Sequence, residues 1–179
     1  MKDIQKQLQQ LCAMKKNIVI FGVGNPLQGD DGVGAFIAEK LEQKMHTFKV
    51  ISAEGSPENF VGKIDRLKPE ILILIDAAIF EGLEGEIKLI PPEKIVGLTI
   101  STHQLPLSML GKFLQHNNPN LRISFIGIQI VKMELLSSSL TKPVEAAAQK
   151  IINMFIELDQ IRLRNQNKGQ DHSSDSLNI

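Results

Sequence analysis

The run ILILIDAA at residues 71–78 is apolar at every position but Asp76. A strand with no polar alternation is buried on both faces, so it belongs in a sheet covered by helices on either side. NIVIFGVG (17–24), apolar, β-branched and ending in glycines, reads as a second buried strand. FKVISAEG and LRISFIGIQIV read as further strands. GEIKLIPP alternates and ends in prolines, which suits an exposed edge strand. GLTIST (97–102) is a short extended segment. Helical patterns separate these runs. Val33, Phe36, Ile37, Leu41 and Met45 recur at helical spacing. PENFVGKIDRLKP opens on Pro57 and closes before Pro69. HQLPLSMLGKFLQH (103–116) and TKPVEAAAQKIINMFIELDQIRLR (141–164) complete the set. The order predicts an α/β fold: a three-layer sandwich, with a largely parallel twisted sheet and helices on both faces.

The 179 residues, 42% of them apolar, suit one domain with a sizeable core. That domain is expected over 17–164. Residues 1–16 read as a short polar-to-amphipathic helix ahead of it, a frayed or partner-dependent extension. Residues 165–179, NQNKGQDHSSDSLNI, carry no periodicity and read as a disordered polar tail.

Composition removes several classes of function. Twenty basic residues balance 20 acidic ones, which argues against a nucleic-acid groove or an anionic membrane surface as partner. With no Trp or Tyr and 8 Phe, stacking platforms for single strands are poorly supplied. Cys12 is the single cysteine, so neither an internal disulfide framework nor a multi-cysteine metal site is expected. No run approaches the roughly 18 apolar residues of a spanning helix, and MKDIQKQLQQ lacks the apolar stretch of a secretory signal. The expectation is a soluble cytoplasmic protein in a reducing compartment.

Open α/β sheets place ligands beyond the carboxyl ends of their strands, so the polar residues that follow strands matter most. These are Asn25, Asp30 and Asp31 after the first strand and Glu54 and Ser56 after the second. Asp76 follows at the end of the third, and His103 comes after GLTIST. Asp76 has apolar neighbours, and a carboxylate there needs a partner or a proton; its alternative is a turn or a cap. Of the adjacent aspartates, Asp30 is assigned to cap the following helix, leaving Asp31 to point into the crevice. His103 is either a first-turn histidine behind a Ser101 or Thr102 cap or a metal ligand. Two carboxylates and one imidazole leave open positions on zinc, nickel, iron or manganese. His46, His116 and His172 read as surface residues.

The loop GNPLQGDDGVG does not read as a nucleotide site. Leu27 stands where a dinucleotide fingerprint needs its third glycine, and two aspartates would repel a pyrophosphate. No GxxxxGK[ST] occurs. The glycines instead allow a tight turn and close approach of something bulky, such as a protein tail.

GVGNPLQGDDGVG followed in order by SPENF, LILIDAA, GEIKLI, STHQLPLS and FIGIQI resembles the hydrogenase maturation endopeptidases. The likeness spans roughly residues 17–160 and lies nearest the branch that processes hydrogenase 3-type NiFe enzymes. It implies an endopeptidase that removes the C-terminal extension of a NiFe-hydrogenase large-subunit precursor once nickel has been inserted. It also implies that Asp31, Asp76 and His103 are the catalytic and metal-contacting residues. The nickel would be supplied by the substrate; another divalent metal is an alternative. Glu54 stands where sequences of this kind usually carry an aspartate. The alternative function is a maturation factor that binds metal or precursor without cutting.

Overall fold

The computed structural model describes residues 2–13, 17–90, 107–131 and 136–174. Five strands make one sheet: β1 (Ile18–Gly24), β2 (Lys49–Glu54), β3 (Ile71–Ala78), β4 (Ile87–Ile90) and β5 (Arg122–Gln129). Their spatial order is β2-β1-β3-β5-β4. All neighbours are parallel except β4, which runs antiparallel on β5 at the edge. The helices are α1 (Lys2–Cys12), α2 (Val33–Glu42), α3 (Val61–Leu67), α4 (Leu107–Asn117) and α5 (Lys142–Ser174). Short 3-10 turns cover Gly29–Gly32 and Pro57–Phe60.

The period-two geometry of β3 sorts its side chains into two cores. Ile71, Ile73, Ile75 and Ala77 pack with α1, α2 and α5. Leu72, Leu74 and Ala78 pack on the other face with Ile64 of α3 and Leu110 and Leu114 of α4. Every residue of β3 is buried, as its uninterrupted apolar run requires. The three-layer α/β architecture expected from the sequence is therefore the one observed.

The helix expected within residues 1–16 is present as α1. The sequence places this segment ahead of the domain, whereas Leu8 and Cys12 of α1 are buried in the core with α2 and α5. Gln5 also donates to Glu157 of α5 at 2.8 Å. The tail assigned to 165–179 is helical as far as Ser174, because α5 does not stop at Arg164. Extending an established helix adds a hydrogen bond for each residue fixed, without a new nucleation cost. Among the described residues, no helix is long and apolar enough to cross a membrane.

Candidate functional site

The parallel register fixes where the polar residues emerge. Gly22 of β1 lies beside Ile75 of β3, and Gly24 lies beside Glu54 of β2. Asp76 is thus at the level where β1 is about to end, and Asp31 belongs to the turn that folds back over that end. Glu54 closes β2 at the same edge of the sheet and is exposed.

Two close backbone approaches set this corner. Gly24 has φ +152°, and a Cβ on it would stand 2.2 Å from the Asp31 carbonyl oxygen. A Cβ on Gly34, in the first turn of α2, would stand 2.2 Å from the carbonyl oxygens of both Ile75 and Val23. Glycine is required at both places by space, and at Gly24 by conformation as well. The missing side chains let the 3-10 turn settle on the ends of β1 and β3, and the turn packs against β3 directly.

The turn itself is held by its own polar groups. Asn25 Oδ1 accepts the Leu27 N–H at 3.0 Å, and the Asn25 carbonyl accepts the Gln28 N–H at 3.0 Å. Asn25 N–H in turn donates to Asp31 Oδ2 at 3.1 Å. Asp31 is buried to 1% exposure and Asp76 to 0%. Asp76 Oδ1 accepts the N–H of Ala77 at 2.8 Å. Carboxylates so thoroughly withdrawn from water require strong local compensation or a cationic ligand.

Asp30 does not cap the helix that follows it. The N-cap positions of the 3-10 turn and of α2 are Gln28 and Gly32, and neither makes a side-chain cap bond. The Asp30 carboxylate reaches instead to the start of α5, where Oδ1 accepts the Thr141 N–H at 2.7 Å. Its Oδ2 accepts the Thr141 hydroxyl at 2.9 Å, and that hydroxyl also lies 3.0 Å from Glu84 Oε1. Thr141 followed by Lys142-Pro143 is legible as a helix start. Its carboxylate partner lies far off in the sequence, and no local signal marks it.

His103 lies outside the described residues, as does GLTIST. Of the three residues selected from the sequence, the fold brings Asp31 and Asp76 to one edge of the sheet. Among the described residues, no group of three or more His, Cys, Asp or Glu side chains could hold a metal ion. His46 is exposed, and its Nδ1 lies 3.1 Å from Asp159 Oδ2, far along the chain from these carboxylates.

A backbone bridge adjoins the turn, with an exposed leucine on each of its two strands. The backbones of Gln28 and Ser137 form a parallel bridge, with Gly29 N–H donating to the Ser137 carbonyl at 2.7 Å. The residues just before this bridge, Leu27 and Leu136, are 63% and 95% exposed.

Residues 36–158 match the family model described as hydrogenase maturation protease. The hydrogenase 3 maturation protease of Escherichia coli K12 is 34% identical over 113 residues, 62% of this chain and 71% of that protein. A NiFe-hydrogenase maturation protease, HycI of Thermococcus kodakarensis KOD1, superposes with a TM-score of 0.78 at 29% identity, over 86% of this chain and 99% of that one. The solution structure of the endopeptidase HycI from Escherichia coli gives 0.68 at 30% identity, over 76% and 87%.

Proposed function

The chain belongs to the hydrogenase maturation protease family, and from that premise we propose that it removes the C-terminal extension of a nickel-loaded NiFe-hydrogenase large-subunit precursor. The observation that carries this reading is the pair Asp31 and Asp76, both buried at the carboxyl edge of the sheet. Buried carboxylates at the carboxyl edge of a sheet suit a divalent cation better than an anionic ligand. In this reading Asp31, Asp76 and His103 engage the nickel that the precursor carries, so the metal arrives as part of the substrate. Hydrolysis adds one water across one peptide bond: its oxygen goes to the carbonyl carbon and its protons end on the leaving amine and the new carboxyl group. A carboxylate of the site accepts the proton of the attacking water and returns it to the amine.

The test is mass spectrometry of a nickel-loaded precursor mixed with this protein. Loss of a C-terminal peptide with the wild type, and its retention with Asp31→Ala, Asp76→Ala and His103→Ala, is the expected result. An intact precursor bound tightly by the wild type identifies a non-cleaving binding factor instead. Cleavage by all three variants at the wild-type rate overturns the site.

A further inference from the structure

We propose that Asp30 is a positioning residue for Asp31, and that it acts by capping the far helix α5. The inference rests on the reading of Asp31 as a contact to the precursor's nickel. Three observations carry it. Asp30 is buried to 4% exposure, yet its carboxylate makes no cap bond to its own turn or to α2. Both of its oxygens are spent on Thr141, the residue before α5: Oδ1 on the N–H at 2.7 Å and Oδ2 on the hydroxyl at 2.9 Å. The same stretch is tied again by Gly29 N–H to the Ser137 carbonyl at 2.7 Å. The turn Gly29–Gly32 is thereby fastened to the 136–141 segment on both sides of the bond that joins Gly29 to Asp30.

The chemistry explains why a carboxylate is used. In a capping box, an acidic or amide side chain three residues into a helix accepts the N–H of the N-cap residue. With Thr141 at the N-cap of α5, that third position is Val144, which has no acceptor. Asp30 supplies the acceptor from another part of the chain, and the N-terminal end of the helix dipole favours its charge. α5 is buried along Val144, Ala147, Ala148, Ile151, Ile152 and Phe155, so its first turn is a fixed point of the core. Anchoring Asp30 to it fixes the backbone on which the next side chain, Asp31, is carried. Asn25 N–H then holds the Asp31 carboxylate itself.

Asparagine at position 30 preserves this arrangement: its carbonyl accepts the Thr141 N–H, and its amide donates to the Thr141 hydroxyl. That hydroxyl has one hydrogen and two carboxylates in reach, so the change also frees it to serve Glu84. Positioning and direct chemistry therefore predict opposite behaviour for this variant.

The experiment measures kcat and KM for cleavage of nickel-loaded precursor, with folding checked by thermal melting. Asp30→Ala is expected to raise KM on the order of tenfold, with a smaller change in kcat, as a ground-state contact to the substrate is misplaced. Asp30→Asn is expected to remain within about threefold of the wild type. A wild-type KM in a folded Asp30→Ala overturns the inference, and so does an Asp30→Asn as impaired as Asp30→Ala, because the charge itself would then be at work. Should Asp30→Ala not fold, Thr141→Val carries the test: it keeps the N–H and loses the hydroxyl, and a raised KM supports the inference whereas an unchanged one overturns it. A wild type that ignores the nickel content of the precursor overturns the underlying reading of Asp31, and this inference with it. A wild type that requires nickel while Asp30→Ala matches it overturns the positioning alone.

Discussion

Asp159 of α5 takes two hydrogen bonds from Thr47, at 2.7 Å from its N–H and 2.6 Å from its hydroxyl, both on Oδ1. The N–H of His46 adds a further donor, 3.1 Å from Oδ2. Arg162 donates through Nε to the Thr47 hydroxyl at 3.0 Å and through its guanidinium to the Cys12 carbonyl. One turn of α5 therefore joins the end of α1 to the loop that leads into β2. Burial pushes the Asp159 carboxyl up, but the hydrogen bonds from Thr47 and His46 outweigh it and hold it below its ordinary value. A lowered native value stabilises the fold above the unfolded pKa of about 3.9, and that stabilisation is lost as pH falls through the native value. Asp159→Ala is expected to cost roughly 2–4 kcal/mol at pH 7, since several donors lose their acceptor together. In urea unfolding, the gap between wild type and variant should close below about pH 4. A gap that persists undiminished under acid would show that the charge of Asp159 contributes nothing.

Cys12 lies at the other end of this connection, buried at the C-terminus of α1. Burial pushes its thiol up to about 11, against the opposing pull of Arg162. Reaction with a disulfide reagent needs thiolate and access, and the native fold denies both. At pH 8 the native protein is expected to react at least about a hundredfold more slowly than in denaturant, with one thiol titrated once unfolded. Because the sequence has a single cysteine, that rate reports whether α1 is docked. Fast labelling of protein that still melts cooperatively would show that α1 detaches on its own.

The contrast between α1 and β3 shows what a sequence discloses about its fold. β3 announces itself because burial on both faces leaves no room for polar residues, and Asp76 stands out against that background. Asp31 draws attention for a related reason: it follows a strand and a glycine turn, where open α/β sheets gather their chemistry. In α1 the polar residues dominate, and a narrow stripe, Ile4, Leu8, Leu11 and Cys12, does the docking. That spacing marks an apolar face, but it does not say whether this domain or a partner covers it. The bond from Asp30 to Thr141 crosses 111 residues, and a propensity for capping cannot reveal which helix is capped. His103 rests on the residue pattern and the resemblance alone, since it lies outside the described residues.

The two-glycine corner makes a sharp stability prediction. Gly34→Ala would drive a Cβ to 2.2 Å from two carbonyl oxygens, of Ile75 and Val23, neither of which can give way without moving a strand. Overpacking of this kind, against backbone rather than a flexible side chain, is expected to cost about 3 kcal/mol or more. Gly62 in α3 is the control, because a Cβ there meets nothing within 4 Å. Gly62→Ala is expected to stabilise by roughly 0.5–1 kcal/mol through helix propensity. Thermal melts of the two variants should therefore move in opposite directions. Equal shifts would mean that α2 is not seated on the ends of β1 and β3 as described.

Burial separates the acidic residues at the carboxyl edge into two groups with different expected effects on processing. Asp31 and Asp76 are withdrawn from water, whereas Glu54 is exposed at the end of β2, beside Gly24. An exposed carboxylate keeps its hydration and is free to move, so its removal changes little. A buried carboxylate that meets a cation or an attacking water has no solvent to replace it. Asp76→Asn preserves volume and removes the charge, and it is expected to slow cleavage of nickel-loaded precursor on the order of 100-fold or more. Glu54→Gln is expected to stay within about fivefold, the range of a peripheral charge at an association surface. If Asp76 engages the precursor's nickel as proposed, stripping nickel before mixing should reproduce the Asp76→Asn defect in the wild type, and combining the two should add little. If Glu54→Gln is the more damaging variant, the proposed assignment of Asp31 and Asp76 to the reacting centre fails in favour of the end of β2.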